Sequence, residues 1–341
     1  MMNVLFDIIH PAHVHLFKNF IKYLKENDHS VFVTSRGKDI TVELLDHYKI
    51  EHVKISDTLS SPAGMIKEQL ARDWKIFKLH RKHKFDISFG TSISIAHLSA
   101  LTKVKSFVFN EDDDNSQPTF CMASYPFASG VCIPECIQYY KFLGKRMFHN
   151  SYHELAYLHP NNFVPDENVL KKYNLEKHNY IIARFSALKA HHDIGKKGIS
   201  EELWKKITDL TKDIPLIRSV ENMKTHQIEP WDMHHVLALS KILISDSQSM
   251  TMEAANLGVP SIRYSSFVGK LSVVEELEHK YGLTFGFRPG ADKELLIKLE
   301  ELLATSNLRA SFKVKRESML KEKIDLSQWI INLFEKETRK N

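Results

Sequence analysis

Hydrophobic positions along the chain fall first into short unbroken runs and then into spaced stripes, and the two patterns alternate. Residues 3–9, Asn-Val-Leu-Phe-Asp-Ile-Ile, make an apolar run suited to a strand buried on both faces. Between residues 16 and 26 the period changes. Phe17, Phe20, Ile21 and Leu24 stand at i, i+3, i+4 and i+7, the face of a helix packed on a sheet. Residues 30–35 predict a second strand, 39–48 a second helix and 49–55 a third strand. Further strands are expected at 85–90, 105–110 and 131–133, the last ended by Pro134. This alternation predicts a parallel, doubly wound α/β domain with its chemistry on loops at the C-terminal ends of the strands.

The pattern lapses between residues 152 and 165, and we place the linker between there and Glu176. Strands resume at 180–185, 214–220, 242–244 and 261–264, which predicts a second α/β unit. The expected division is therefore 1–170, 171–325, and a C-terminal helix with a basic tail over 326–341. Within the second unit, residues 245–249 are small and polar, 250–257 are helix formers, and Gly258 stops the helix. A strand–turn–helix of this kind aims free N–H groups and a positive dipole end at a phosphate above the turn. Ser247, Ser249 and Thr251 supply hydroxyl donors there. Glu253, four residues beyond Ser249, shares its helix face and suits a ribose diol. An ordinary strand-to-helix turn with a surface glutamate explains the same residues and stays open.

Other candidates lie on strand-end loops. His10, His13 and His15 crowd the first, but no carboxylate there completes a metal set and the chain holds 19 histidines. His13 is our choice of general base, with capping and loop packing the plainer roles for His10 and His15. The run Glu111-Asp112-Asp113-Asp114 follows a strand. We take Asp112 as an acid–base or acceptor-binding candidate and read the run as a solvated loop rather than a metal site. On the donor side we place Arg184, Ser186 and His192 on the loop at the end of the 180–185 strand, Glu221 at the end of 214–220, and His235, beside His234, ahead of a helix that leads into the 242–244 strand.

Residues 61–84 interleave Met65, Ile66, Leu70, Trp74, Ile76, Phe77 and Leu79 with Lys67, Arg72, Lys75, Lys78, Arg81, Lys82 and Lys84. We expect a helix that packs its apolar stripe on the sheet and solvates its cations. The competing expectation is a helix lying on an anionic membrane surface.

Composition narrows the class. With 341 residues, 43% hydrophobic and 26% charged, the chain is of globular type and long enough for two domains. A net charge of +5 permits anionic partners such as nucleotide sugars without calling for nucleic acid. No apolar run approaches a bilayer span, and the N-terminus lacks a signal-peptide pattern. Cys121, Cys132 and Cys136 are read as reduced thiols, so we expect a cytoplasmic protein, with peripheral contact at the inner face of the membrane as the variant.

Several stretches resemble a known family. They are Phe6-Asp7-Ile8-Ile9-His10-Pro11-Ala12-His13-Val14-His15, Tyr125-Pro126-Phe127-Ala128, Tyr152-His153-Glu154-Leu155-Ala156-Tyr157-Leu158-His159-Pro160, His191-His192-Asp193, and Asp246-Ser247-Gln248-Ser249-Met250 through Gly258-Val259-Pro260. The chain resembles domain of unknown function 354, a family of GT-B glycosyltransferase-like proteins. More distantly it is similar to UDP-N-acetylglucosamine 2-epimerases and to the peptidoglycan N-acetylglucosaminyltransferase. The resemblance implies a GT-B fold, two doubly wound Rossmann-like domains facing a central cleft. It also implies Ser247, Gln248 and Ser249 on the diphosphate and Glu253 on the ribose. Gln248-Ser249 stands where those relatives often carry two glycines, which narrows or redirects the phosphate pocket. The implied activity is metal-independent glycosyl transfer from a nucleotide-diphosphate sugar, most naturally a UDP-sugar, to a glycan or lipid-linked acceptor in surface polysaccharide biosynthesis. No cofactor is expected. A nucleotide-sugar 2-epimerase or hydrolase, and a non-catalytic sugar-nucleotide-binding protein, are the alternatives.

Overall fold

A computed structural model describes residues 1–59, 61–185, 199–220 and 227–339. The chain divides into two units, Met1–Tyr157 with Ile324–Asn341, and Leu158–Lys323. Among the described residues the first unit carries a seven-stranded parallel sheet. Its strands are β1 (Asn3–Ile8), β2 (Ser30–Gly37), β3 (Val53–Asp57), β4 (Ile87–Gly90), β5 (Lys105–Phe109), β6 (Gly130–Pro134) and β7 (Arg146–His149), in the order β3-β2-β1-β4-β5-β6-β7. The order runs outward in both directions from the β1/β4 pair, so that pair is the topological switch point.

Helices α1 (Pro11–Glu26), α2 (Thr41–His47), α3 (Pro62–His83), α4 (Ile93–Leu101) and α5 (Pro118–Ser124) make the crossovers. Helix α1 neighbours α2 and the last helix of the chain, while α3 neighbours α4 and α4 neighbours α5. Right-handed connections put these two groups on opposite faces of the sheet. Val4, Leu5, Phe6 and Ile8 of β1 are fully buried, and α1 buries the expected face, with Phe17, Phe20 and Leu24 inside.

The second unit begins with α6 (Asn168–Lys172) and holds, among the described residues, a five-stranded parallel sheet. It comprises β8 (Ile181–Phe185), β9 (Leu216–Val220), β10 (Ile242–Ser245), β11 (Ser261–Tyr264) and β12 (Thr284–Phe287), ordered β12-β11-β10-β8-β9. Here the switch point lies between β8 and β10. Between and after these strands run α7 (Glu201–Leu210), α8 (Met233–Ala238), α9 (Gln248–Asn256), α10 (Ser272–Glu275), α11 (Asp292–Ala304) and α12 (Leu308–Glu322). The final helix, α13 (Leu326–Thr338), returns to the first unit, where the Ser327 hydroxyl donates to the Ala156 carbonyl at 2.7 Å.

Three differences from the sequence reading are informative. The division between units falls at Tyr157/Leu158, ahead of the expected residue 170, because Tyr152, Leu155 and Ala156 are buried in the first unit's core. Strands β7 and β12, four residues each, were not expected, being too short to show a period. The third concerns α3. Its sheet-facing residues are Glu68, Arg72 and Ile76, whereas Met65, Ile66, Leu70, Trp74 and Phe77 are exposed. The expectation that α3 packs its apolar stripe on the sheet holds for Ile76 and Leu79, which join the core, and is overturned for Met65, Ile66, Leu70, Trp74 and Phe77. The cause is Asp7 on central strand β1. A buried carboxylate requires a partner, and α3 supplies Arg72, which forces the charged face inward.

Candidate functional site

At the first unit's switch point only His10 precedes the helix. Helix α1 starts at Pro11 rather than near the expected residue 16, so His13 and His15 lie in its first turns and not on a loop, and the three imidazoles have different surroundings. His10 caps α1, its Nδ1 accepting from the Ala12 amide at 3.3 Å. His15 is buried against the rings of Tyr48 and Tyr157. His13 meets the neighbouring β4 loop, with the Thr91 hydroxyl 2.6 Å from Nδ1 and 2.9 Å from Nε2. Among the described residues no group of three or more His, Cys, Asp or Glu side chains is placed to hold a metal ion. Desolvation pushes His13 well below the usual imidazole range, and the nearby His10, His153 and Lys38 push the same way. The ring is therefore neutral near pH 7.

The floor beneath this loop is a chain of buried charges. Arg72 Nη2 donates to both oxygens of Asp7, at 2.6 and 2.7 Å, and the Thr34 hydroxyl donates to Asp7 Oδ1 at 2.7 Å. Arg72 Nη1 reaches the Ser56 hydroxyl at 2.7 Å, and that hydroxyl donates to Glu68 at 2.9 Å. Glu68 closes the network with a two-pronged bond to Arg36, both contacts 2.7 Å, and accepts from the Leu59 amide. These donors hold the Glu68 carboxyl below its usual range against the opposing effect of burial. Gly90 lets β4 approach β1 here, since a Cβ would stand 2.8 Å from the Asp7 carbonyl oxygen.

The acidic run is mostly structural. Asp113 accepts from the amides of Gln138 and Tyr139, and Asp114 from those of Lys141 and Phe142 and from Arg146 at 2.7 Å. Asp112 is half-buried and accepts from the Gln117 side chain. Sequence reasoning passed over Glu111, which accepts from the His153 amide at 3.2 Å and lies 3.6 Å from its ring Nδ1. Burial pushes His153 down to about 3, so this contact involves a neutral ring. A histidine directly after an extended residue gave no pattern that would have marked the pair.

In the second unit the switch point brings together Arg184, at the end of β8, and the turn after β10. Arg184 stands in register with Ser245, whose hydroxyl donates to the Arg184 carbonyl at 2.6 Å and accepts from the Ser247 amide at 3.0 Å. Ser247 is the N-cap of α9, its hydroxyl accepting from the Met250 amide. Gln248 is half-buried and Ser249 exposed at the helix tip. Gly258 ends α9 at φ +67°, with the Val259 amide bonded back to Ala254 at 2.8 Å, as the sequence leads one to expect.

Two donor-side candidates sit elsewhere. Thr251 is fully buried and its hydroxyl donates to the Ser247 carbonyl at 2.8 Å, so it serves the helix backbone and not the turn. His235 is drawn to the loop before α6, where Nδ1 accepts from the Asp166 amide at 2.9 Å and the ring meets Phe163. Its neighbour His234, passed over as a candidate, is the one that reaches Glu253, with Nε2 at 3.0 Å from Oε1, both side chains buried. Adjacent histidines on a short helix differ by one step of rotation, and only the fold decides which faces α9. Ser186, His192 and Glu221 lie outside the described residues.

The architecture is shared with sugar-nucleotide proteins of GT-B type. A co-structure of S. aureus MnaA with UDP superposes with a TM-score of 0.69 at 14% identity, covering 99% of this chain and 97% of that one. The UDP-GlcNAc 2-epimerase of Methanocaldococcus jannaschii gives 0.62 at 14% identity, covering 93% and 98%. The spinosyn forosaminyltransferase SpnP gives 0.64 at 13% identity, covering 97% and 99%. Identities this low establish the fold and leave the chemistry to the site. No curated protein matches the sequence. Residues 2–284 match the model of the family described as Protein of unknown function (DUF354), and the chain belongs to that family.

Proposed function

We propose that the protein transfers a sugar from a nucleotide-diphosphate donor to a hydroxyl of a glycan or lipid-linked acceptor, in the assembly of a surface polysaccharide. The observation that carries this reading is the capped turn of Ser245 to Ser249 at the β8/β10 switch point, with Glu253 held by His234 one helical turn below it. The N-terminal end of α9 carries the positive end of the helix dipole, where a diphosphate gathers negative charge on leaving. Arg184 adds a cation at the neighbouring strand end. Glu253 accepts from the ribose diol, oriented by the His234 contact. With the leaving charge met by the helix dipole and a guanidinium, no metal is required.

Acceptor activation belongs on this reading to the first unit. His13, neutral and hydrogen-bonded to Thr91, takes the proton of the attacking hydroxyl. A UDP-sugar is the favoured donor, since UDP occupies the similarly folded MnaA. The similar fold of the M. jannaschii enzyme favours one second reading, a 2-epimerase, for which donor alone would be converted. A transferase leaves the donor largely intact until acceptor is added.

The test is melting temperature with UDP, GDP, dTDP, CDP and CMP, for the wild type and Glu253→Gln. The amide keeps an acceptor oxygen for His234, so the fold is preserved while the charge facing the ribose is lost. A ligand bound only by the folded state raises the melting temperature. We expect a rise with UDP that the variant abolishes. Absence of a rise with every nucleotide sinks the proposal.

A further inference from the structure

Helix α3 carries two stripes of the same period and turns the less obvious one inward. Residues 68, 72 and 76 are buried. Residues 66, 70, 74 and 77 follow one another up the opposite face and stand in water, with Ile66 and Leu70 each 64% exposed, Trp74 63% and Phe77 36%. Over about 16 Å of helix the protein thus presents a continuous apolar ridge, where solvated helices present charge. Cations border it. Lys67, Lys78, Arg81, Lys82 and Lys84 are all exposed, and the Lys78 ammonium lies 5.2 Å from the Trp74 ring centroid. On α3 itself, Asp73 beside the ridge is engaged by His97 at 2.7 Å and Gln69 at 2.7 Å.

We infer that the outer face of α3 seats the protein on an anionic membrane surface. Charge complementarity selects this occupant. An apolar ridge with tryptophan along it and lysines beside it matches the acyl boundary below and the phosphates around it, and the lysine stems reach to the headgroups. The ridge runs along the helix axis, so the attachment is in-plane. Neither signal suffices alone, since weak apolar insertion and weak electrostatic attraction hold a protein at a surface only together. This inference is independent of the proposed reaction, because it is read as binding rather than turnover.

The experiment is co-sedimentation of the full chain with vesicles of phosphatidylcholine alone and of phosphatidylcholine mixed with phosphatidylglycerol. We expect partitioning at least about tenfold stronger into the anionic vesicles. Leu70→Ser/Phe77→Ser should lower it a further tenfold or so by removing the inserted apolar area. Lys78→Glu/Lys82→Glu should abolish the anionic preference. Vesicles with brominated acyl chains should quench wild-type fluorescence more than that of Trp74→Phe. All these side chains face solvent, and unchanged circular dichroism verifies each variant's fold. Unaltered anionic binding by the Leu70→Ser/Phe77→Ser variant overturns the inference. So does a wild type that ignores vesicles and instead self-associates through this face.

Discussion

Replacing Arg72 by Met tests whether the first unit is organised around Asp7. Methionine keeps most of the apolar stem, so the packing change is under about 1.5 kcal/mol. What is lost is the guanidinium that gives Asp7 two of its three side-chain hydrogen bonds and ties Ser56 to the same network. Asp7 is completely shielded from water and Arg72 is 3% exposed. Removing one member of such a pair costs about 3–5 kcal/mol, mostly as the penalty of the stranded partner. For a unit of this size the loss lowers its melting temperature by roughly 10 °C. Two units need not unfold together, so the better assay is native-state amide exchange read at Val4 to Asp7, whose ladders join β1 to β2 and β4. The double variant Asp7→Asn/Arg72→Met removes both charges and should recover at least half of the loss. Full additivity of the two single variants, or an Arg72→Met cost below about 1 kcal/mol, would refute the argument that the pair dictates the orientation of α3.

Two further outcomes follow from the same unit. His153 is held neutral down to about pH 3 when folded, while the unfolded chain protonates it near 6.5. Its contribution is complete above that upper value and is lost as pH falls, by about 2 kcal/mol at pH 5. His13 acts in the same direction. Urea titrations from pH 7 to 5 should therefore show acid destabilisation that is shallower in His153→Phe; equal slopes would contradict the assignment. Gly90→Ala places a methyl 2.8 Å from the Asp7 carbonyl and should cost about 1–3 kcal/mol. Chemical-shift mapping should show the disturbance at Thr91 and His13, and a silent substitution would show that β1 and β4 have slack.

Both sheets were legible except for their edge strands β7 and β12, because buried parallel strands leave apolar runs that need no context. The Ser247 cap and Gly258 stop could likewise be read, since capping is a local contest between side chain and backbone. Roles set across the fold could not. His234 and His235 are one rotation apart on α8, and the choice between them depends on where α9 lies. Thr251 looked like a phosphate donor until its own helix was seen to occupy it. Asp113 and Asp114 looked solvated but are enclosed by a segment about 25 residues downstream in the chain.

Helix α3 shows what a hydrophobic pattern omits. Its two stripes share one period, so amphipathicity alone assigns the apolar one to the core. One residue in the sequence argued otherwise. Asp7 interrupts the apolar run of the first strand, and a carboxylate buried there demands a cation from the element that covers it. Once Arg72 answers that demand, the helix has no remaining rotational freedom, and Ile66, Leu70, Trp74 and Phe77 are left facing outward. The floor under His13 and the exposed ridge thus have one physical cause. A change that relaxes the Asp7–Arg72 bond should let α3 rotate toward its apolar side. Vesicle binding and amide protection of β1 are then predicted to fall together in Arg72→Met, whereas Leu70→Ser/Phe77→Ser should lower only the first.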